Sequence, residues 1–154
     1  NGVGKYPDDR LKKLNLEIIE QKKNGSYIIL SEPSDAMKKV YNVPNWTEDT
    51  IKLVKKYTDR KIILHNKFSK EPLKILLKDA WAFISLQSTA GFMAMLNGVP
   101  SYFTDASLKN ISKIEDIERP VIDYNIFNSL AYGQWTLKEM ETGEAWETIS
   151  KNKV

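Results

Sequence analysis

The run from Trp81 to Gly98 constrains the fold of this chain more than any other stretch: Trp-Ala-Phe-Ile-Ser-Leu, then Gln87-Ser88-Thr89, then Ala-Gly-Phe-Met-Ala-Met-Leu-Asn-Gly. The first part reads as a strand apolar on both sides, as in parallel sheets covered on both faces. A polar corner follows, and a helix opens on the small residues Ala90 and Gly91. The first backbone N–H groups of such a helix have no helical partner, and the helix dipole adds positive character there. Such a corner favours an anion, most often a phosphate. It points to a phosphate-bearing ligand and names no reaction.

Three more short runs share the apolar character of a covered strand: Tyr27–Ser31 after the turn Asn24-Gly25, Lys61–His65 after Asp59-Arg60, and Ser101–Thr104. Helical patterns separate them. Pro44-Asn45-Trp46-Thr47-Glu48 predicts a helix start with Asn45 as cap and Glu48 closing a capping box. Trp46, Leu53, Val54 and Tyr57 supply its apolar stripe. Pro72 opens a second helix with Leu73, Leu76 and Leu77 on one face, and the third runs Thr89 to Asn97 with Gly98 at the C′ position.

This alternation predicts an α/β fold, a three-layer Rossmann-like open parallel sheet of about five strands with helices on both faces. The fifth strand is an edge strand at Pro120–Tyr124. Asp105 to Arg119 reads as a loop with one helical turn, and Asn125 to about Ile149 as helices, with Thr136 and Glu139 capping the second of them. Tyr132, Trp135 and Trp146 sit at helical spacings and read as core packing. Residues 1–24, polar and Lys-rich, read as a lead-in or interdomain linker, and residues 25–150 as a single Rossmann-like domain.

A chain of 154 residues suits one domain that buries roughly 70% of its unfolded surface, so no covalent or metal staple is needed. With no Cys and one His, thiol chemistry and Cys- or multi-His metal sites are excluded, and no metal is expected. The 23 basic and 20 acidic residues are dispersed, so the net +3 favours anionic ligands slightly and shows no basic stripe for nucleic acid. The chain has no apolar run long enough for a membrane span and no signal peptide, so a cytoplasmic address is expected, and the Asn-x-Ser/Thr triplets at Asn24, Asn45 and Asn110 read as chance. It opens at Asn1 rather than Met, and a partner domain is expected upstream.

Ligands of open parallel sheets sit beyond the carboxyl ends of the strands. Three loops converge there, and they supply the candidate ligand contacts Ser31, Glu32 and Ser34; His65 and Lys67; and Ser85, Gln87, Ser88, Thr89 and Gly91. Ser88 and Thr89 can bind phosphate or simply cap the helix, which calls for the same residue types. Gly91 can admit a ligand or allow close helix packing. Lys67 can neutralise phosphate or face water, and Glu32 can hold a sugar hydroxyl or face water. His65 reads as a ligand contact and a candidate general base, although no carboxylate stands near it in sequence to orient it. Gly2-Val-Gly-Lys5 lacks the GxxxxGK[ST] spacing, and neither GxGxxG nor GxSxG occurs.

Ser85 to Pro100 resembles the SxxSTxGxxAxxxGxP signature of the donor-binding half of GT-B glycosyltransferases, in particular the capsule-polysaccharide and Kdo-transferase-like group. Trp46-x-x-Asp49-Thr50, Thr58–Ile63, and Gln134–Thr136 with Glu139 and Gly143–Trp146 are similar to flanking segments of that group, and the resemblance covers most of residues 25–147. It implies a C-terminal domain that binds a nucleotide-diphosphate sugar as donor substrate, with no separate cofactor and usually no metal, in surface polysaccharide or glycan synthesis. An acceptor hydroxyl of a glycan would attack the anomeric carbon. Ser88, Thr89, the adjacent amides, His65 and Lys67 would stabilise the departing diphosphate.

Two departures stand out. Where many members carry Arg-x-His-Pro this chain has Leu64-His65-Asn66-Lys67, and the N-terminal domain that supplies the acceptor site and normally the base is missing. The second reading is a non-catalytic α/β binding or assembly module derived from such a domain, self-associating as a homodimer.

Overall fold

A computed structural model describes residues 6–108 and 111–151; Gly2–Lys5 and the triplet asparagine Asn110 lie outside them. The elements in chain order are α1 (Asp9–Lys13), β1 (Tyr27–Ser31), α2 (Asp35–Val40), α3 (Trp46–Val54), β2 (Lys61–His65), α4 (Leu73–Leu76), β3 (Ala80–Ser85), α5 (Thr89–Leu96), β4 (Ser101–Phe103), α6 (Asn125–Tyr132), α7 (Leu137–Glu141) and α8 (Glu144–Lys151). Short 3-10 turns follow α4 at Leu77–Asp79 and precede α6 at Ile114–Asp116. Contacts divide the chain into two compact units: Glu17–Ile122, and the described parts of Asn1–Leu16 and Asp123–Val154.

The first unit is built on a four-stranded parallel sheet in the order β2-β1-β3-β4. Successive side chains of a strand face opposite sides, and the two cores follow that period. Ile28, Leu30, Ala82, Ile84 and Tyr102 pack on one side against Trp46 and Val54 of α3 and against Ile114 and Ile117. Ile29 and Phe83 pack on the other side against Leu76, Leu77, Ala94 and Val99. The expected α/β sheet with helices on both faces is therefore present, with four strands rather than five.

Pro120–Tyr124 is not a strand. The Gln21 side chain takes the backbone groups that a neighbouring strand would have used, donating to the Pro120 carbonyl at 2.7 Å and accepting from the Ile122 N–H at 2.8 Å. The segment carrying Gln21 lies against the sheet unit: Ile19 N–H donates to Leu96 O at 2.8 Å and Lys22 N–H to Gly98 O at 2.9 Å. Gly98 follows α5 at φ +73°, and a Cβ there would stand 2.4 Å from the Glu20 carbonyl oxygen, so both conformation and space require glycine.

The expected capping box at Asn45 is also corrected. Asn45 has φ −101° and ψ 24°, outside the extended conformation from which a cap side chain reaches back, and its side chain makes no cap bond. The sequence reading has no counterpart to α2, whose cap is Ser34, with Oγ accepting from the Met37 N–H at 3.3 Å.

In the second unit a nearly buried Arg10 organises the helices. Its guanidinium donates to the carbonyls of Ala131 at 3.0 Å and Gln134 at 2.7 Å and pairs with Glu139 at 2.8 Å. It also lies 3.8 Å from the centre of the Trp135 ring. Thr136 and Glu139 form the expected capping box at α7. Trp146, expected in a core, is 68% exposed, because α8 turns Ala145 inward instead.

Candidate functional site

In the order β2-β1-β3-β4 the chain leaves β1 to one side for β2 and crosses to the other for β3. The reversal point lies between the carboxyl ends of β1 and β3, where open α/β sheets leave a crevice. A cleft of about 260 Å³ occupies that point, lined by Ser31, Glu32, Ser34, Met37, Gln87 and Ser88 among others. A neighbouring cleft of about 590 Å³ shares Glu32, Pro33 and Ser34 and adds Lys38, Asn66 and Lys67. The ridge Glu32–Ser34 separates two halves of one depression, whose walls mix polar side chains with Pro33, Met37, Leu86 and Phe68.

Glu32 holds that ridge in place. One carboxylate oxygen accepts from Lys38 Nζ at 2.9 Å and Thr47 Oγ1 at 2.8 Å, and the other accepts from Asn66 Nδ2 at 3.4 Å. The β1 loop is thereby tied to α2, to α3 and to the loop after β2. The Lys38 ammonium, followed by the Thr47 hydroxyl, keeps the Glu32 carboxyl below its ordinary pKa, and Glu32 in turn raises that of Lys38. The two charges cancel locally. Lys67, exposed with its ammonium 4.8 Å from the Phe68 ring centre, brings a second positive charge to the depression, and Asp35 on the same wall brings a second negative one.

The corner before α5 largely satisfies itself. Ser88 N–H donates to Ser85 Oγ at 3.3 Å, Ala90 N–H to Ser88 Oγ at 3.2 Å, and Gly91 N–H to Ser88 O at 2.9 Å. The N–H groups of Gln87 and Thr89 make no hydrogen bond within the described residues. The Gln87 side-chain amide donates to the Tyr41 hydroxyl, which ties the corner to the end of α2.

Ser31, Glu32, Ser34, Gln87, Ser88 and Lys67 thus come together around one depression. The other four candidates do not line it. Ser85 is fully buried beneath the corner as the acceptor for Ser88. Gly91 faces the sheet, where an added Cβ would meet the Phe103 ring at 2.6 Å, so its small size serves packing. Thr89 projects to solvent at the helix start, and His65 uses its carbonyl to accept from the Glu32 N–H at 2.8 Å. Lys38, Met37 and Tyr41 were not legible as site residues, since their place depends on α2; Ser34 as a cap was the one sequence signal for that helix.

Among the described residues no helix is long and apolar enough to cross a membrane. Comparison with protein-family models, with curated proteins and with solved structures finds no match, so the sheet and its crevice carry the functional argument.

Proposed function

We propose that the sheet unit binds a nucleoside diphosphate sugar, as the donor-binding half of a glycosyltransferase acting in glycan synthesis. The observation that carries this reading is the depression at the reversal point of the sheet, with the unpaired Gln87 amide at one end and Lys67 at the other. A diphosphate carries charge on two linked groups and suits donors at both ends of an elongated site. Beyond Leu86, which walls the first cleft, lies a recess of about 330 Å³ with Val43, Pro44, Trp46 and Leu53 on its sides. Asn45, Asp49 and Thr50 also line that recess, so it offers both an apolar wall and hydrogen-bonding groups to a nucleoside attached to a diphosphate.

In such a transfer the barrier falls when charge developing on the leaving diphosphate meets donors already in position. The Gln87 amide and the Lys67 ammonium are assigned that role, with Ser31 and Ser88 orienting the phosphates. Glu32 keeps the ridge in shape through Lys38, Thr47 and Asn66 and does not act on the donor. The resemblance of Ser85–Pro100 to the glycosyltransferase signature supports a sugar as the group transferred.

The test is thermal melting of the full chain with uridine, cytidine, guanosine and adenosine diphosphates. At a hundredfold excess over Kd a specific ligand adds about 2.7 kcal/mol, a rise of about 5–11 °C for a chain of this size. Lys67→Ala, which breaks no hydrogen bond, is expected to cut the rise by at least half without changing the ligand-free melting temperature. No rise with any of the four at millimolar concentration contradicts the proposal.

A further inference from the structure

Strand β2 forms one border of the sheet, with β1 on its inner side. In parallel pairing, the N–H and C=O of one residue turn to the neighbour and those of the next turn away. The Glu32 N–H donates to the His65 carbonyl at 2.8 Å, which sets the parity. Lys61, Ile63 and His65 bond to β1, and the amides and carbonyls of Ile62 and Leu64 point outward. Sheet borders are normally blunted by charges, prolines or bulges. Here Lys61 at the start of the strand is its one formal charge, no proline interrupts it, and Leu64 is 48% exposed.

We infer that β2 pairs antiparallel with β2 of a second copy of this chain, about a two-fold axis at Ile63. In that register Ile62 lies opposite Leu64 of the second copy, and antiparallel residues so placed exchange both of their backbone hydrogen bonds. The pair occurs twice by symmetry, and every outward group of Ile62 and Leu64 is used. A shift by two residues leaves one of the two outward residues without a strand residue opposite it. The apolar side chains agree with the same alignment, since Ile62 meets Leu64 and Ile63 meets its own copy, while Lys61 falls opposite His65 and adds no attraction.

Just beyond the strands, Asp59 comes level with Lys67 of the second copy, opposite charges on each side of the axis. The exposed Phe68 approaches the end of the second copy that carries Tyr57, itself exposed. This match of β2 with itself selects a second copy over an unrelated extended segment. One five-residue strand pair is small beside the ~1,200–2,000 Å² of stable interfaces, so a weak, concentration-dependent dimer is expected.

Sedimentation equilibrium of the full chain from about 1 μM to about 1 mM is expected to show a monomer–dimer equilibrium. Leu64→Lys should raise the dissociation constant at least tenfold, because the position is half exposed and the new charge faces Ile62 of the second copy. In the unaltered chain, amide exchange at Ile62 and Leu64 should slow as concentration rises, while exchange at Ile63 and His65 stays constant. A chain that remains monomeric throughout overturns the inference. So does a dimer in which exchange at Ile62 and Leu64 is independent of concentration.

Discussion

At position 91 a methyl group would arrive 2.6 Å from the Phe103 ring, closer than real side-chain contacts allow. Phe103 is buried, so the ring has little room to give. Gly91→Ala is expected to destabilise the chain by about 1–3 kcal/mol in urea unfolding, the usual cost of overpacking. Phe103→Leu in the same chain should recover part of that loss, whereas a ligand-approach role for Gly91 predicts no such recovery. In the helical unit, the Arg10 guanidinium and then the Thr136 backbone amide hold the Glu139 carboxyl down to about 2, from an ordinary value of 4.5. A carboxyl depressed by folding adds stability above its unfolded pKa and loses that contribution as pH falls through the folded one. The helical unit should therefore weaken between about pH 4.5 and about pH 2, seen as a change in fluorescence of Trp135 beneath Arg10. Glu139→Gln should remove this acid step and leave a unit already weakened at neutral pH.

Helix α2 exists through its surroundings more than through its own sequence. Six residues are too few for a stable isolated helix. Its hold on the sheet runs through Lys38 to Glu32 and through Tyr41, just past its end, to Gln87. Glu32→Ala is expected to cost about 1–3 kcal/mol, since it strips Lys38, Thr47 and Asn66 of a charged partner, and urea unfolding measures it. Amides of α2 should exchange faster in that variant than those of β1. The same dependence explains what the sequence could and could not disclose. The four strands were legible because each is a short apolar run bounded by turn residues, and parallel topology then carries Ser31, Glu32, Ser34, Lys67, Gln87 and Ser88 to one end of the sheet. Side-chain direction within those loops was not legible: Ser85 and Gly91 turn to the core, Thr89 to solvent, and His65 does not line the depression. Asn45 and Pro120–Tyr124 misled because local pattern yielded to tertiary partners: Trp46 N–H finds Val43 O at 3.2 Å, and the Gln21 side chain replaces a strand.

Across the whole molecule, the order of four strands decides where chemistry can occur. Reversal between β1 and β3 opens a crevice that neither strand could form alone, and the polar loops of both end there. The outer border of β2 stands apart from that crevice except through Lys67, so the proposed pairing of two copies and the proposed binding of a diphosphate meet at that one residue. Donor binding at the corner that carries the unpaired Gln87 amide is the claim on which the account rests. It is tested most directly by nitrogen-15 amide spectra of the full chain, recorded while a nucleoside diphosphate is added. The account predicts that the largest shift falls at Gln87, with smaller ones at Ser31, Ser34, Ser88 and Lys67. Saturation that moves none of these amides, or shifts confined to the helical unit, would contradict it.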